Sequence, residues 1–320
     1  VLRWTDLQEI PSGFGPSVVT LGNFDGVHRG HRALLGTVVR EADARTAAAV
    51  AVTFDPPPLA VLHPERAPEQ IAGLEHRLEL MAGTGLDAVL LLEFSHQLAA
   101  MTPEEFVREV FVDGLGACAV VLGSDSRFGV RNSGNIDTMR ELGQRYGFDV
   151  VELAAVGETT AGARTWSSTH VRRLLAEGNV AEAAEILGRP HRVTGEVVHG
   201  HHRGRALGFP TANLAEETGG LVPADGVYAG WLERLDLPAG DAERRLPAAI
   251  SVGTNPTFDD VLVRTVEAHV LDRTDLDLYH EQVGVDFVER LRGNVRFGSV
   301  DELLTRIGQD VDVSRSILFG

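Results

Sequence analysis

The chain predicts a Rossmann-like α/β domain, a doubly wound parallel sheet, followed by a small antiparallel β-barrel with a C-terminal helix. Three observations predict this. Residues 1–186 alternate short apolar runs with helix-length segments, which implies a parallel sheet covered on both faces. From Gly188 onward the segments are short and valine-rich, with Gly and Pro turns between them, an antiparallel pattern. Pro190 prevents helical continuation between the two textures, so the expected domains are 1–186 and 187–320.

In the first half the expected strands are Val18–Leu21, Ala48–Phe54, Ala88–Glu93, Ala119–Gly123 and Asp149–Leu153. Helical patterns lie between them at His31–Ala44, Gly73–Ala82, Pro103–Val112 and Asn135–Tyr146. Two short helices, Thr169–Glu177 and Val180–Leu187, follow, joined at Gly178-Asn179. The barrel strands are expected in HRVTGEVVHG, AAISVGT, RTVEAHVLD and QVGVDFVERL, with Glu233–Arg245 as a polar surface loop. Asp301–Asp310 reads as a closing helix capped by Ser299.

Composition narrows the function. With 43% hydrophobic and 23% charged residues, the 320-residue chain reads as an ordinary globular protein with room for two cores. No apolar run approaches the ~20 residues that cross a bilayer, and the first residues lack the layout of a signal peptide. One cysteine, Cys118, permits no internal disulfide and fits a reducing cytoplasm. A net charge of −17 argues against general nucleic-acid binding. All 29 basic residues are arginine, which excludes a Walker A loop with its phosphate-binding lysine. Any triphosphate must be held by arginine, histidine, backbone amides or a metal.

The most informative stretch is Val18–Leu35, VVTLGNFDGVHRGHRALL. A buried strand ends in a turn where Gly22 and Gly26 allow close backbone approach by a ligand. His28 and His31 share one face of the helix that starts there. Its N-terminus offers unpaired N–H groups and a positive dipole end to a phosphate. Two imidazoles beside it can donate hydrogen bonds to a phosphoryl group as charge builds up. The competing reading is a packed glycine turn with surface histidines.

Other motifs follow in order. Thr53-Phe54-Asp55-Pro56 ends a strand where ligands bind in open α/β sheets. In Gly123–Gly129, Phe128 either offers a face that stacks on a ligand's aromatic ring or packs the core. Trp166–Arg172 places small hydroxyls at a helix N-terminus, a cap or a phosphate clamp. Gly200–Leu214 carries Arg203, Gly204, Arg205 and Gly208 in a basic loop suited to enclosing phosphates. Thr211 and Asn213 put two neutral oxygens on alternate positions, which suits Mg²⁺ or merely finishes a turn. Glu267 sits in a valine-rich strand, as a proton acceptor or as the strand's polar face. His199, His201 and His202 lack a cysteine or distant partner, so no zinc site is expected.

GNFDGVHRGH, with the H-x-G-H signature of nucleotidyltransferases, and GRALGFPTAN resemble bacterial bifunctional riboflavin kinase/FMN adenylyltransferases, the prokaryotic FAD synthetases. The resemblance runs from about Val18 to Asp310 and implies a nucleotidyltransferase domain followed by a riboflavin kinase barrel. It implies catalytic roles for His28, His31 and Arg172 in adenylyl transfer and for Glu267 as kinase base. Nucleotide contacts are implied at Gly22, Asn23, Phe24, Gly30 and Asp125, and at Ser168 and Thr169 of the SSTxIR-like motif. In the kinase they are implied at Arg203, Gly204, Arg205, Gly208, Pro210 and Thr211. Flavin contacts are implied at Phe54, Asp55, Phe128, Tyr228 and Asn255, and Mg²⁺ ligands at Thr211 and Asn213. The partners implied are ATP, riboflavin, FMN and FAD, acting on a monomer or weak homo-oligomer. Pro57, Ser126, Val171, His201 and His280 depart from the family's pattern. A divergent paralogue, a chain with one activity, or a non-catalytic flavin-binding or regulatory protein are the rival readings.

Overall fold

A computed structural model describes residues 1–153, 166–199, 208–256 and 262–320. They form two compact units. One comprises Val1–Glu69 and Leu74–Ser167, and the other Gln70–Gly73 and Ser168–Gly320.

The first unit is a parallel sheet. Its strands are β1 (Leu2–Trp4), β2 (Ser17–Leu21), β3 (Ala48–Asp55), β4 (Ala88–Glu93), β5 (Ala117–Gly123) and β6 (Asp149–Leu153). They lie in the order β1-β4-β3-β2-β5-β6, every pairing parallel. The helices are α1 (Arg29–Arg45), α2 (Pro58–Leu62), α3 (Leu74–Ala82), α4 (His96–Ala100), α5 (Pro103–Phe106) and α6 (Ile136–Tyr146). Both sheet faces are buried, so the central strands read as unbroken apolar runs. Along β3, Val50, Val52 and Phe54 enter one core cluster while Ala49 and Ala51 enter the other. Edge strand β1 was not expected, because three residues are too few to show a period. The expected Pro103–Val112 helix is α5, opened by a Thr102–Glu105 capping box and running on into a π-helical stretch, Val107–Gly114.

β2 lies between β3 and β5, and the chain reverses its direction of travel across the sheet there. In open α/β sheets the crevice beyond the strand ends at such a point is the ligand site.

The second unit is a closed barrel of β7 (His191–Val198), β8 (Ala212–Leu214), β9 (Gly226–Arg234), β10 (Arg245–Pro256), β11 (Leu262–Val270) and β12 (Gln282–Arg292). Every pairing is antiparallel, in the order β10-β11-β8-β7-β12-β9, with β9 returning to β10. Inward residues alternate along β7, where His191, Val193, Gly195 and Val197 are buried. At Gly230 a Cβ would lie 2.0 Å from the Asp286 carbonyl oxygen, so only glycine lets β9 and β12 approach this closely. The polar segment after Glu233 links β9 and β10 as a hairpin. Ser299 caps the closing helix by accepting the Glu302 N–H at 3.1 Å, and the helix runs past Asp310 to Phe319.

The helices α7 (Ser168–Glu177) and α8 (Val180–Leu187) were expected within residues 1–186, but they belong to the barrel's compact unit. The reason is burial. α8 packs its Val180, Ala183, Ile186 and Leu187 stripe beside β12 and β7. The Ala224 N–H donates to the Leu175 carbonyl at 2.9 Å, and Arg290 donates to that of Glu177 at 3.3 Å. Amphipathic spacing shows that a helix buries one face and not which core receives it.

His191, 2% exposed, donates from Nε2 to the Leu221 carbonyl at 2.6 Å. Burial lowers its pKa from 6.5 to about 4. Between these values the unfolded chain binds a proton that the folded chain refuses. The stabilisation is therefore complete above pH 6.5 and lost as pH falls toward 4. Denaturant titrations of the barrel are expected to show a loss of up to about 3 kcal/mol over that window. In His191→Gln the part of the slope due to this group should vanish.

Candidate active sites

After β2 the chain turns through Gly22–His28 into α1. The turn is strained. Phe24 and Val27 have φ of +48° and +38°, beside Gly26 at +75°. Both side chains are buried, and their packing holds a backbone that a β-branched residue otherwise avoids. This conformation makes His28 the cap of α1, with its Nδ1 accepting the His31 N–H at 3.3 Å. An accepting Nδ1 puts the proton of the neutral His28 ring on Nε2. The His31 ring stacks on His28 with centroids 3.7 Å apart, and Phe24 meets it edge-on at 5.4 Å.

The glycines fit this packing. A Cβ on Gly30 would lie 3.1 Å from His28 Nδ1 and Cε1, and one on Gly22 would lie 3.0 Å from the Phe24 ring. Burial first, then the neighbouring His28, holds the His31 pKa well below the usual histidine value, so the ring is neutral at pH 7. His31 Nδ1 is buried and has no hydrogen-bond partner among the described residues.

Phe24, expected to contact nucleotide, is 1% exposed and packs against the His31 ring. Asn23 is exposed, while its carbonyl accepts from Thr53 Oγ1 at 3.4 Å and Arg77 Nη1 at 3.3 Å. Arg77 Nη2 donates to the Phe54 carbonyl at 3.0 Å and lies 3.8 Å from Asp55 Oδ1. Sequence reasoning missed Arg77, although a signal was there. Leu74, Arg77, Leu78 and Met81 share one face of α3, so an arginine interrupts an apolar stripe.

The expected aromatic flavin contacts are corrected by burial. Phe54 is 8% exposed and packs edge-on to Phe94. Phe128 is 4% exposed, its ring over Gly134, where a Cβ would approach to 2.8 Å. Both are core residues. Asp55 is partly exposed at the end of β3, and Asp125 is exposed just past β5. The sheet thus brings the Gly22–Gly30 turn, Asp55 and Asp125 to one edge. Ser168 opens α7, and Thr169 and Arg172 lie within its first turns, in the second unit.

On the barrel, Asn213 of β8 stands in register with Glu267 of β11. Directly opposed residues point to one face of the sheet. Buried Ala212, Leu214, Val266 and Ala268 flank them, so this pair lies on the outer face. Asn213 Nδ2 donates to the Thr211 Oγ1 and carbonyl oxygen, each at 3.2 Å. A cavity of about 340 Å³ adjoins, its wall including Gly208, Pro210, Thr211, Asn213, Asp277 and Tyr279 but not Glu267. Arg273, also in the wall, pairs with Asp275 at 2.7 Å and Glu243 at 2.8 Å. That contact holds the Asp275 pKa at about 2.

His280 stands where the resembling family has glycine, and its φ is +66°. This backbone suits glycine, and the imidazole Nδ1 lies 2.9 Å from Glu196 Oε1. Tyr228 was expected to contact flavin but is fully buried in the barrel, edge-on to Phe287, its hydroxyl donating to the Ala224 carbonyl. Asn255 lies on β10 in register with Val263. Arg203, Gly204, Arg205, His201 and His202 lie outside the described residues. Among the described residues no three His, Cys, Asp or Glu side chains gather as a metal site.

Comparison with known proteins matches residues 11–170 to the FAD synthetase family and residues 187–318 to the riboflavin kinase family. The bifunctional riboflavin kinase/FMN adenylyltransferase of Escherichia coli K12 is 38% identical, covering 92% of this chain and 90% of its own length. That of Pseudomonas fluorescens is 37% identical, covering 94% and 92%. A solved structure described as a macrolide-efflux protein from Streptococcus pneumoniae superposes with a TM-score of 0.84 at 31% identity, over 98% of each chain. No helix among the described residues is long and apolar enough to cross a membrane. Two family models in tandem, on a chain whose parallel-sheet unit precedes its barrel, place this protein in the bifunctional riboflavin kinase/FMN adenylyltransferase family.

Proposed function

We propose that the two reactions divide between residues 1–186 and 187–320, with the barrel acting first. The barrel transfers the γ-phosphate of ATP to the primary hydroxyl of riboflavin, giving FMN and ADP. The parallel-sheet domain then joins FMN to AMP. A phosphate oxygen of FMN attacks the α-phosphorus of a second ATP, the bond to the β-phosphate oxygen breaks, and FAD and pyrophosphate leave. The observation that carries this reading is the placement of the histidine pair at the switch point of a parallel sheet.

In the adenylyl-transfer site the acceptor is already a phosphate monoester, so no enzymatic base is required. The work is alignment and charge stabilisation. The Nε2–H of His28 is a donor for phosphate oxygens, and neutral His31 keeps one ring N–H as a further donor. The amides at the start of α1 add to the same field. Ser168, Thr169 and Arg172 supply hydroxyl, amide and guanidinium contacts to the departing pyrophosphate. Gly22, Asn23 and Gly30 shape the nucleotide seat through backbone, and Asp55 and Asp125 border it.

In the kinase site Glu267 accepts the riboflavin hydroxyl proton as that oxygen attacks the γ-phosphate. Thr211 and Asn213 fit Mg²⁺. The Asn213 amide nitrogen donates to Thr211 Oγ1, so the Asn213 amide oxygen and the threonine hydroxyl are the atoms that would hold the cation. When bound, Mg²⁺ neutralises charge on the nucleotide phosphates. Arg203, Gly204, Arg205, Gly208 and Pro210 enclose those phosphates, and Asn255 contacts the flavin. The chain acts in the cytoplasm as a monomer or weak homo-oligomer and binds no nucleic acid.

Two variants of the full chain separate the sites. His31→Ala is expected to lower FAD formation from supplied FMN by about 10²–10³ and leave riboflavin phosphorylation near normal. Glu267→Gln is expected to lower kinase turnover by roughly 10² with little change in riboflavin KM, leaving adenylylation intact. Chromatography of flavin products reads both. Equal damage to both activities in either variant, or normal kinase turnover in Glu267→Gln, would refute the assignment.

A further inference from the structure

Arg77 is 2% exposed, among the largest fully buried side chains of the protein. An arginine stays charged in a protein, and burying that charge is costly unless it is well paired. Here the pairing is incomplete. The carboxylate of Asp55 is 3.8 Å away, and Nε has no hydrogen-bond partner among the described residues. A leucine or methionine would continue the apolar stripe of Leu74, Leu78 and Met81 at less cost.

What the guanidinium does is join two loops. Nη1 reaches the Asn23 carbonyl, in the turn that leads to His28, and Nη2 reaches the Phe54 carbonyl, at the end of β3. Thr53 Oγ1 also donates to the Asn23 carbonyl, so this oxygen is held from β3 and from α3 at once. The turn it anchors carries positive φ at Phe24 and Val27 and does not rest in that shape unaided. Asp55 is held at the same point, from the other loop.

We propose that Arg77 is a positioning residue for adenylyl transfer: its planar fork fixes the β2–α1 turn against the end of β3, and so sets where the His28–His31 pair stands relative to Asp55. The fork geometry explains why arginine occupies the position. Two donors of one rigid plane fix two carbonyls relative to each other, whereas a lysine offers a single flexible ammonium. Its buried positive charge also lies beneath loops that must receive two anionic reactants, a nucleoside triphosphate and a phosphate monoester. The inference rests on the reading of the histidine pair as the adenylyl-transfer site.

The test uses the full chain and four preparations: wild type, Arg77→Met, Arg77→Lys and His31→Ala. Adenylylation of supplied FMN is measured as kcat and KM, riboflavin phosphorylation in the same tubes, and thermal unfolding alongside. Arg77→Met is expected to lower the adenylylation kcat by about 10²-fold, with KM for ATP changed only a few-fold. Arg77→Lys should recover part of that loss, about 10-fold below wild type, because charge returns without the fork. Kinase turnover should match wild type in both. A lowered melting temperature with normal kcat at temperatures well below it would mean that Arg77 only supports the fold, and the proposal fails. Should Arg77→Met not fold, Arg77→Lys decides, and a normal kcat in it overturns the proposal. If His31→Ala is inactive while both Arg77 variants are normal, this inference alone is wrong. If His31→Ala keeps full adenylylation, the site reading is wrong and the inference falls with it.

Discussion

Parallel strands with both faces buried leave one place for chemistry, and the N-terminal site depends on that constraint. β2, β3 and β5 spend nearly all their side chains on two apolar layers, so only the loops at their carboxyl ends are available. All three ends lie on the same edge because every pairing is parallel. The strained turn after β2 then converts a strand end into a helix start within a few residues. His28 completes the conversion, since its own ring nitrogen takes the helix N–H that a serine or aspartate would otherwise cap. One side chain thus closes the helix and stands at its positive end.

The barrel solves a different problem. Its interior is filled by alternating residues, as the full burial of Tyr228, Phe287, Val283 and Val285 shows. Polar side chains are left to the outside, where the strand period that buries Val266 and Ala268 leaves Glu267 half-buried between them. Register does the rest by setting Asn213 opposite that carboxylate. The polar face of an ordinary strand and a catalytic glutamate look alike in sequence at this position, and the register adds Asn213 as its neighbour across the ladder.

Much of this was legible in the chain. The strands of the first half were visible because runs buried on both faces are apolar throughout, and the turn after β2 was marked by its glycines and histidines. What stayed hidden was tertiary. Phe54, Phe128 and Tyr228 lie in or beside motifs and looked like flavin contacts, but an aromatic side chain does not say whether its ring faces a ligand or the core. α7 and α8 continue the strand–helix rhythm, so nothing local showed that they pack with the barrel. Arg77 was visible as an arginine within an apolar stripe, yet its two carbonyl partners are 54 and 23 residues away in the chain. His280 shows the reverse case, a departure whose backbone cost appears only in its positive φ.

The central claim is that one chain performs two phosphorus transfers in order, at two separate sites. Following the phosphorus atoms tests it most directly. The full chain is incubated with riboflavin and ATP labelled in either the α or the γ phosphate, and the flavins are separated by chromatography. The account predicts γ-label alone in FMN, and both labels in FAD, the γ from the first ATP and the α from the second. FMN carrying α-label, FAD lacking γ-label, or label released from ATP without any flavin nucleotide would contradict it.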